Sequence, residues 1–168
     1  LPKGITMTRK RINIILDKAS FARKIPGPIQ RIEGHRVISV NQALILMGHY
    51  NRPPGITGTS INDYWGWLRY RSAFTSDTDL TVSPIWSDHD PHQKTILSDD
   101  LGVGFGLAVF LRIVKWRKLL PASHARRHWP QLISHTKAKK IGPSKTPEFI
   151  AEDGRGRLHV LECKGTQT

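Results

Sequence analysis

The C-terminal end of the chain has two acids and a lysine in a pattern that could hold a metal ion. Residues 146–163 contain two apolar, β-favouring runs around an Asp-Gly-Arg-Gly sequence, which predicts a β-hairpin with its turn near residue 155. Alternation along the second strand places Glu162 and Lys164 on one face. Glu148, at the entrance of the first strand, then lies within one residue of facing Glu162, and facing Cβ atoms are about 5 Å apart.

Two carboxylates at that spacing repel each other unless a cation lies between them. Hard oxygen ligands select Mg²⁺ or Mn²⁺ rather than zinc. Such an ion could polarise a phosphodiester and lower the pKa of a bound water, while Lys164 orients that water or stabilises charge in the transition state. The simpler interpretation is that Glu162 and Lys164 form a surface ion pair, and their spacing alone favours it.

The wider sequence resembles a known family. Thr-Pro-Glu-Phe-Ile at 146–150, followed by Leu-His-Val-Leu-Glu-Cys-Lys-Gly at 158–165, resembles the PD-(D/E)XK nuclease superfamily, which has the restriction-endonuclease-like fold. In that family an acid after proline opens the hairpin, and a hydrophobic strand ends in acid-x-Lys. The resemblance implies an α/β (α+β) core in which a helix precedes the hairpin.

The resemblance also implies a role for each residue of the motif. It implies that Glu148, Glu162 and the backbone carbonyl of Cys163 hold the Mg²⁺ or Mn²⁺ ion, and that Lys164 positions water. Family members often carry a further acid on the preceding helix, and Asp100 is the candidate here, with Asp99 as the alternative.

The sequence departs from the family pattern in two respects. Glu148 stands where Asp is usual, so its carboxylate reaches one methylene further. The family core continues with another helix and strand, whereas this sequence extends only four residues past Lys164. We therefore expect a truncated core, a further C-terminal extension or other subunits. Gln167 lies where some members place a polar active-site residue.

The charge balance of the chain indicates a polyanionic partner. The 168 residues include 26 Lys and Arg against 13 Asp and Glu, a net charge of +13. Nucleic acid, and double-stranded DNA in particular, is the expected partner. The basic residues that we expect to contact it are clustered: Arg9, Lys10, Arg11, Arg69, Arg71, Arg126, Arg127, Lys137, Lys139 and Lys140.

Composition excludes several other classes of protein. A single cysteine rules out an internal disulfide scaffold or a multi-cysteine zinc module, and 38% hydrophobic residues are too many for a disordered polyelectrolyte. The longest apolar stretch, residues 101–114, is too short to span a bilayer. We therefore expect no membrane function, and a cytoplasmic, intracellular protein of bacterial or phage-like type.

The elements that position the site fall into two predicted regions. Residues 1–95 form a basic, mainly helical N-terminal region, and residues 96–168 a partial nuclease-like core. Helices are predicted over 39–50, 61–74 and 98–116, the last capped by Ser-Asp-Asp.

An aromatic and basic segment lies within the second of these helices. Helical spacing of Ile61, Tyr64, Trp65 and Leu68 predicts a core-facing stripe. Trp67, Arg69 and Arg71 are then left as candidate nucleic-acid contacts on the other side.

Three further motifs have simpler explanations than a functional site. Asp-His-Asp-Pro-His at 88–92 is rich in metal ligands, but it lies in a proline-containing loop. His124 and His128 have the spacing of a helical zinc site, but two arginines lie between them. The glycines at 102, 104 and 106 have a spacing similar to that of a glycine-rich phosphate-binding loop, and close helix packing explains them equally well.

These observations lead to one preferred function and two alternatives. The preferred function is a metal-dependent DNA endonuclease in a defence, mobile-element or DNA-processing system. The first alternative is a DNA-binding or structural module that keeps a nuclease-like fold without catalysis. The second is a basic assembly protein.

Overall fold

The computed structural model describes residues 9–21, 24–53, 58–130 and 147–165. Its helices are α1 (Gly27–Gln30), α2 (Val40–Tyr50), α3 (Trp65–Tyr70), α4 (Pro91–Val114) and α5 (Ala122–His128), with 3-10 turns at Lys18–Ser20, Ile61–Tyr64, Arg71–Ala73 and Pro84–Asp88. Its strands are β1 (Arg9–Ile14), β2 (Gly34–Ser39), β3 (Trp116–Pro121), β4 (Phe149–Asp153) and β5 (Leu158–Leu161). Helices with two small antiparallel sheets make an α+β architecture, so the expected class is confirmed at that level.

The longest helix, α4, begins earlier than its sequence predicts. Asp90 caps it by accepting backbone N–H groups of the first turn, and Pro91 occupies its first position. A start at Ser98 was therefore wrong, because an acid followed by proline is the stronger helix start. The helix continues across the expected boundary between residues 95 and 96. Among the described helices, none has the length and apolar character needed to cross a membrane.

The glycines of α4 allow close packing on two of its sides. A Cβ on Gly104 would lie 2.8 Å from a backbone oxygen of α2. A Cβ on Gly102 would lie 2.5 Å from the backbone nitrogen of Gly165, and one on Gly106 would lie 2.7 Å from the Cys163 sulfur. These three glycines therefore let α2 and the segment after β5 approach the helix, as the packing interpretation predicts.

Two apolar clusters lie on either side of α4. Leu44 and Met47 of α2 pack with Tyr70 of α3 on one side. Leu107 of α4 packs with Phe149 of the second sheet on the other. The helix thus joins the N-terminal elements to the sheet through shared hydrophobic contacts.

The second sheet has the order β3-β4-β5, and the predicted hairpin is confirmed. Phe149 pairs with Leu161 and Glu152 with Leu158, so the turn is centred at residue 155 as expected. Asp153 stabilises this turn, because its carboxylate accepts backbone N–H groups two and four residues further on.

The first sheet, β1 paired with β2, is not predicted by the sequence. Its first strand begins with three cations, so the alternation of apolar and polar residues that predicts a strand is absent there. Lys10 is 2% exposed, and its ammonium donates to the backbone carbonyls of Thr75 and Asp77. Arg11 is bound to Asp79 at 2.5 Å. Lys10 is therefore buried in the fold and does not belong to an exposed basic cluster.

The helical segment from residue 61 buries a different face from the predicted one. Ile61, Tyr64 and Leu68 are 74%, 39% and 63% exposed, so the predicted core-facing stripe is wrong at these positions. Trp65 does pack against the core, and so does Trp67, which was predicted to lie on the other side. The buried positions include Asp63, Gly66 and Tyr70. The segment begins as a 3-10 turn, and Gly66 then packs directly on α2, which sets the face that turns inward.

Candidate functional site at the open end of the hairpin

The hairpin register brings Glu148 to the end of the second strand. Phe149 and Leu161 are the last paired residues, and one further step places Glu148 opposite Glu162. The Glu148 carboxylate accepts the backbone N–H of Cys163 at 2.8 Å. The expectation that this acid meets the end of the second strand is therefore confirmed.

Glu162 and Lys164 form an ion pair at the same end. The Lys164 ammonium lies 2.8 Å from a Glu162 carboxylate oxygen, and the two side chains are 69% and 44% exposed. Hydrogen bonding and attraction to Glu162, with a smaller contribution from Glu148, raise the pKa of Lys164 above its ordinary value. Lys164 is therefore cationic at neutral pH and lies within the electrostatic influence of both acids.

Cys163, between the acid and the lysine, faces the opposite side of the strand. Its side chain is 7% exposed and belongs to the apolar cluster between α4 and the sheet. Burial, followed by the neighbouring Glu148 charge, raises the pKa of the Cys163 thiol to about 12. The thiol is thus a packed, protonated group, and the Glu148 carboxylate interacts with it as well as with the backbone N–H of Cys163.

The structure does not bring Asp100 to the two glutamates. Asp100 accepts a hydrogen bond from the Tyr70 hydroxyl at 2.7 Å, on the side of α4 that meets α3. Burial raises the pKa of Asp100, although this hydrogen bond opposes the rise. Within the described ranges, no group of three or more His, Cys, Asp or Glu side chains could hold a metal ion.

The donors at the hairpin end nevertheless fit a hard divalent cation in kind. They are the carboxylates of Glu148 and Glu162 and the backbone carbonyl of Cys163, all oxygen ligands of the type that Mg²⁺ and Mn²⁺ prefer. Mg²⁺ is commonly held by one or two carboxylates, with waters completing its shell. Two protein carboxylates are therefore enough for this class of ion.

The expected nucleic-acid contacts lie in several separate places. Arg69 donates to Gln93 and lies over the Tyr70 ring, while Arg71 lies over the Trp67 ring at 5.2 Å. The exposed members of the expected set within the described residues are Arg9, Arg11, Arg69, Arg71, Arg126 and Arg127. Lys137, Lys139, Lys140 and Gln167 lie outside the described residues.

The other ligand-rich motifs do not form a metal group among the described residues. Asp90 is the cap of α4. The rings of His124 and His128 lie 4.3 Å apart on α5 and contact Trp129. Among the described residues, no third His, Cys, Asp or Glu joins these two histidines, and a structural zinc site needs four ligands.

A cavity that the sequence does not predict lies beside the hairpin end. It has a volume of about 660 Å³, and Gly165, the residue after Lys164, forms part of its wall. Trp86 and Phe105 line it together with Lys94. The lining residues come from separate segments of the chain, so no local sequence pattern predicts this cavity.

The chain was compared with family models, curated proteins and solved structures. None of the three comparisons finds a match.

Proposed function

We propose that the chain is a metal-dependent nuclease that hydrolyses DNA phosphodiesters at the open end of its hairpin. The observation that carries this proposal is the meeting of Glu148, Glu162 and Lys164, which are separated along the chain by the hairpin. The position of α4 before the β4–β5 hairpin in the chain also supports it, because a PD-(D/E)XK-like core requires a helix before an antiparallel hairpin.

Each residue has a distinct part in the proposed reaction. Glu148, Glu162 and the Cys163 carbonyl would hold Mg²⁺ or Mn²⁺, which supplies charge neutralisation and an activated water. The water oxygen forms a bond to phosphorus, one P–O ester bond breaks, and the leaving oxygen takes up a proton. Lys164, which lies beside Glu162, would orient the attacking water and stabilise charge on the phosphoryl oxygens.

DNA is the proposed substrate because of the net charge of +13. The exposed arginines neutralise phosphates and orient the duplex without reading its sequence. A role in a defence, mobile-element or DNA-processing system is part of this proposal.

A non-catalytic DNA-binding module is the second candidate, and one observation favours it. Each candidate acid already has a partner: Glu148 accepts from the Cys163 backbone, Glu162 pairs with Lys164, and Asp100 accepts from a tyrosine. Under this interpretation, those contacts only stabilise the fold, and the basic surface binds DNA without cutting it.

A plasmid-nicking assay with Mg²⁺ or Mn²⁺ distinguishes the two candidates. Lys164→Met is compared with Lys118→Met, since Lys118 forms a similar exposed ion pair with Glu152 in the same sheet. The nuclease proposal expects Lys164→Met to lower the rate about 10²–10³-fold, and Lys118→Met to cut like the wild type. Salt-dependent binding with no cutting by the wild type supports the non-catalytic module instead.

A further inference from the structure

A cleft at the C-terminal end of α4 is lined by four cations that no local sequence cluster brings together. Arg31 follows α1, Arg36 lies in β2, and Arg112 and Lys115 lie at the end of α4. The cleft has a volume of about 390 Å³, and none of the described residues that line it is an acid. Glu33, the acid nearest to it in sequence, pairs with Lys18 at 3.3 Å.

The fold fixes the Arg36 side chain and the Lys115 backbone at this cleft. The guanidinium of Arg36 donates to the backbone carbonyls of His35 and Arg31, which fixes its plane at the cleft. Lys115 has φ of 51°, the left-handed conformation that ends α4. The negative end of the helix dipole favours cations at this position, but it does not account for the arginines contributed by α1 and β2.

Four like charges around one cleft repel each other unless an anion lies between them. Arginine presents a planar fork of N–H donors that matches two oxygens of a phosphate, and a lysine adds a point charge. We propose that this cleft binds backbone phosphates of duplex DNA. The inference rests on the proposed function for its substrate, because it extends the same duplex from the hairpin end to the cleft.

The position of the cleft along α4 suits that duplex. Ser98, Phe105 and Arg112 are spaced by seven residues, so they lie nearly in line on one side of the helix. Ser98 packs directly against Gly165, the residue that follows Lys164. Fourteen residues of helix span about 21 Å, close to six base pairs of duplex at about 3.4 Å each. The separation of the two places along the helix is therefore within the length of one DNA segment.

The test measures how salt weakens binding of a fluorescein-labelled 20-base-pair duplex, by anisotropy in EDTA so that no cutting occurs. The cleft variant carries Arg31→Gln, Arg112→Gln and Lys115→Gln, and Arg36 is kept because it is bound to the backbone. The control loses the same charge from exposed positions near the hairpin turn and carries Arg117→Gln, Lys118→Gln and Arg155→Gln.

The cleft variant is expected to reduce the slope of log K against log salt by about 2.7, since each phosphate contact contributes about 0.9. The control is expected to change it by less than about 1. Single Arg31→Gln and Lys115→Gln variants, each expected to reduce the slope by about 0.9, replace the triple variant if it melts early. Equal slopes in cleft and control variants, or a wild type that does not bind duplex, overturn the proposal.

Failure of the cleft and failure of the nuclease give different results. If binding depends on the cleft but no cutting occurs in Mg²⁺, the cleft proposal is supported and the nuclease proposal is wrong. If cutting depends on Lys164 but the cleft and control variants have equal salt slopes, the nuclease proposal is supported and the cleft proposal is wrong.

Discussion

Gly102 lets the segment after β5 lie against α4, and Gly102→Ala should move that segment. The added Cβ would lie 2.5 Å from the Gly165 nitrogen and 2.9 Å from the Lys164 carbonyl carbon, whereas ordinary contacts begin at 3.4 Å. Both neighbours are backbone atoms and cannot turn aside, so the segment must retreat by about 1 Å.

The cost in stability can be estimated from two opposing effects. Overpacking costs about 1–3 kcal/mol, while replacing glycine by alanine inside a helix returns about 1 kcal/mol. The expected net loss is about 0–2 kcal/mol, which leaves the protein folded. Gly104→Ala is the matched control, because its Cβ would lie 2.8 Å from the Ala43 carbonyl oxygen, on the α2 side of the helix.

Three measurements separate the two variants. Urea unfolding should give similar losses for both. Reaction of Cys163 with a thiol reagent should become faster only in Gly102→Ala, since this single buried cysteine lies in the segment that moves. Plasmid nicking should fall about 10²-fold in Gly102→Ala alone, as expected for a misplacement of about 1 Å at a reacting site. Equal thiol reactivity in the two glycine variants would refute the packing argument.

Two further substitutions test the contacts of a buried carboxylate, Asp153, and a half-buried one, Asp100. Hydrogen bonds from His159, and then from the backbone of Arg157, hold the pKa of Asp153 far below its usual range, so Asp153→Asn should lower the melting temperature at pH 7. That difference should narrow below about pH 4, where the wild-type carboxylate becomes protonated on unfolding, and a difference that is constant with pH would contradict it. Tyr70→Phe removes the donor to Asp100 and should cost about 1–3 kcal/mol in urea unfolding at pH 7. Because burial already raises the pKa of Asp100, this loss should shrink as the pH falls towards 4, and a loss that grows in acid would refute the assignment.

The parts of the fold that depend on neighbouring residues could be predicted from the sequence. The turn centred at residue 155 follows from an Asp-Gly-Arg-Gly sequence between apolar runs. The helix predicted over 39–50 is present as α2, with Ser39 as its cap. The meeting of Glu148 with the end of the second strand follows from the same register.

The parts that depend on tertiary contacts could not be predicted. Burial of Lys10 requires carbonyls from residues 75 and 77, far along the chain. In the sequence, Asp100 is an acid on the helix before the hairpin, as a metal ligand would be. In the structure, its carboxylate accepts a hydrogen bond from Tyr70 instead. The cationic cleft brings Arg31 and Arg112 together, and these residues are too far apart in the chain for a local sequence pattern to predict their contact with one cleft.

The most direct test of the proposed hydrolytic site is the plasmid-nicking rate of Glu148→Gln in Mg²⁺, with Glu152→Gln as its control. A glutamine at 148 can still accept the Cys163 N–H through its amide oxygen, so the hairpin contact survives while the charge is lost. Glu152 lies at the other end of the same strand and forms an exposed ion pair with Lys118. We predict that Glu148→Gln nicks at least about 10²-fold more slowly with an unchanged melting temperature, while Glu152→Gln matches the wild type. A Glu148→Gln variant that nicks at the wild-type rate would contradict the account.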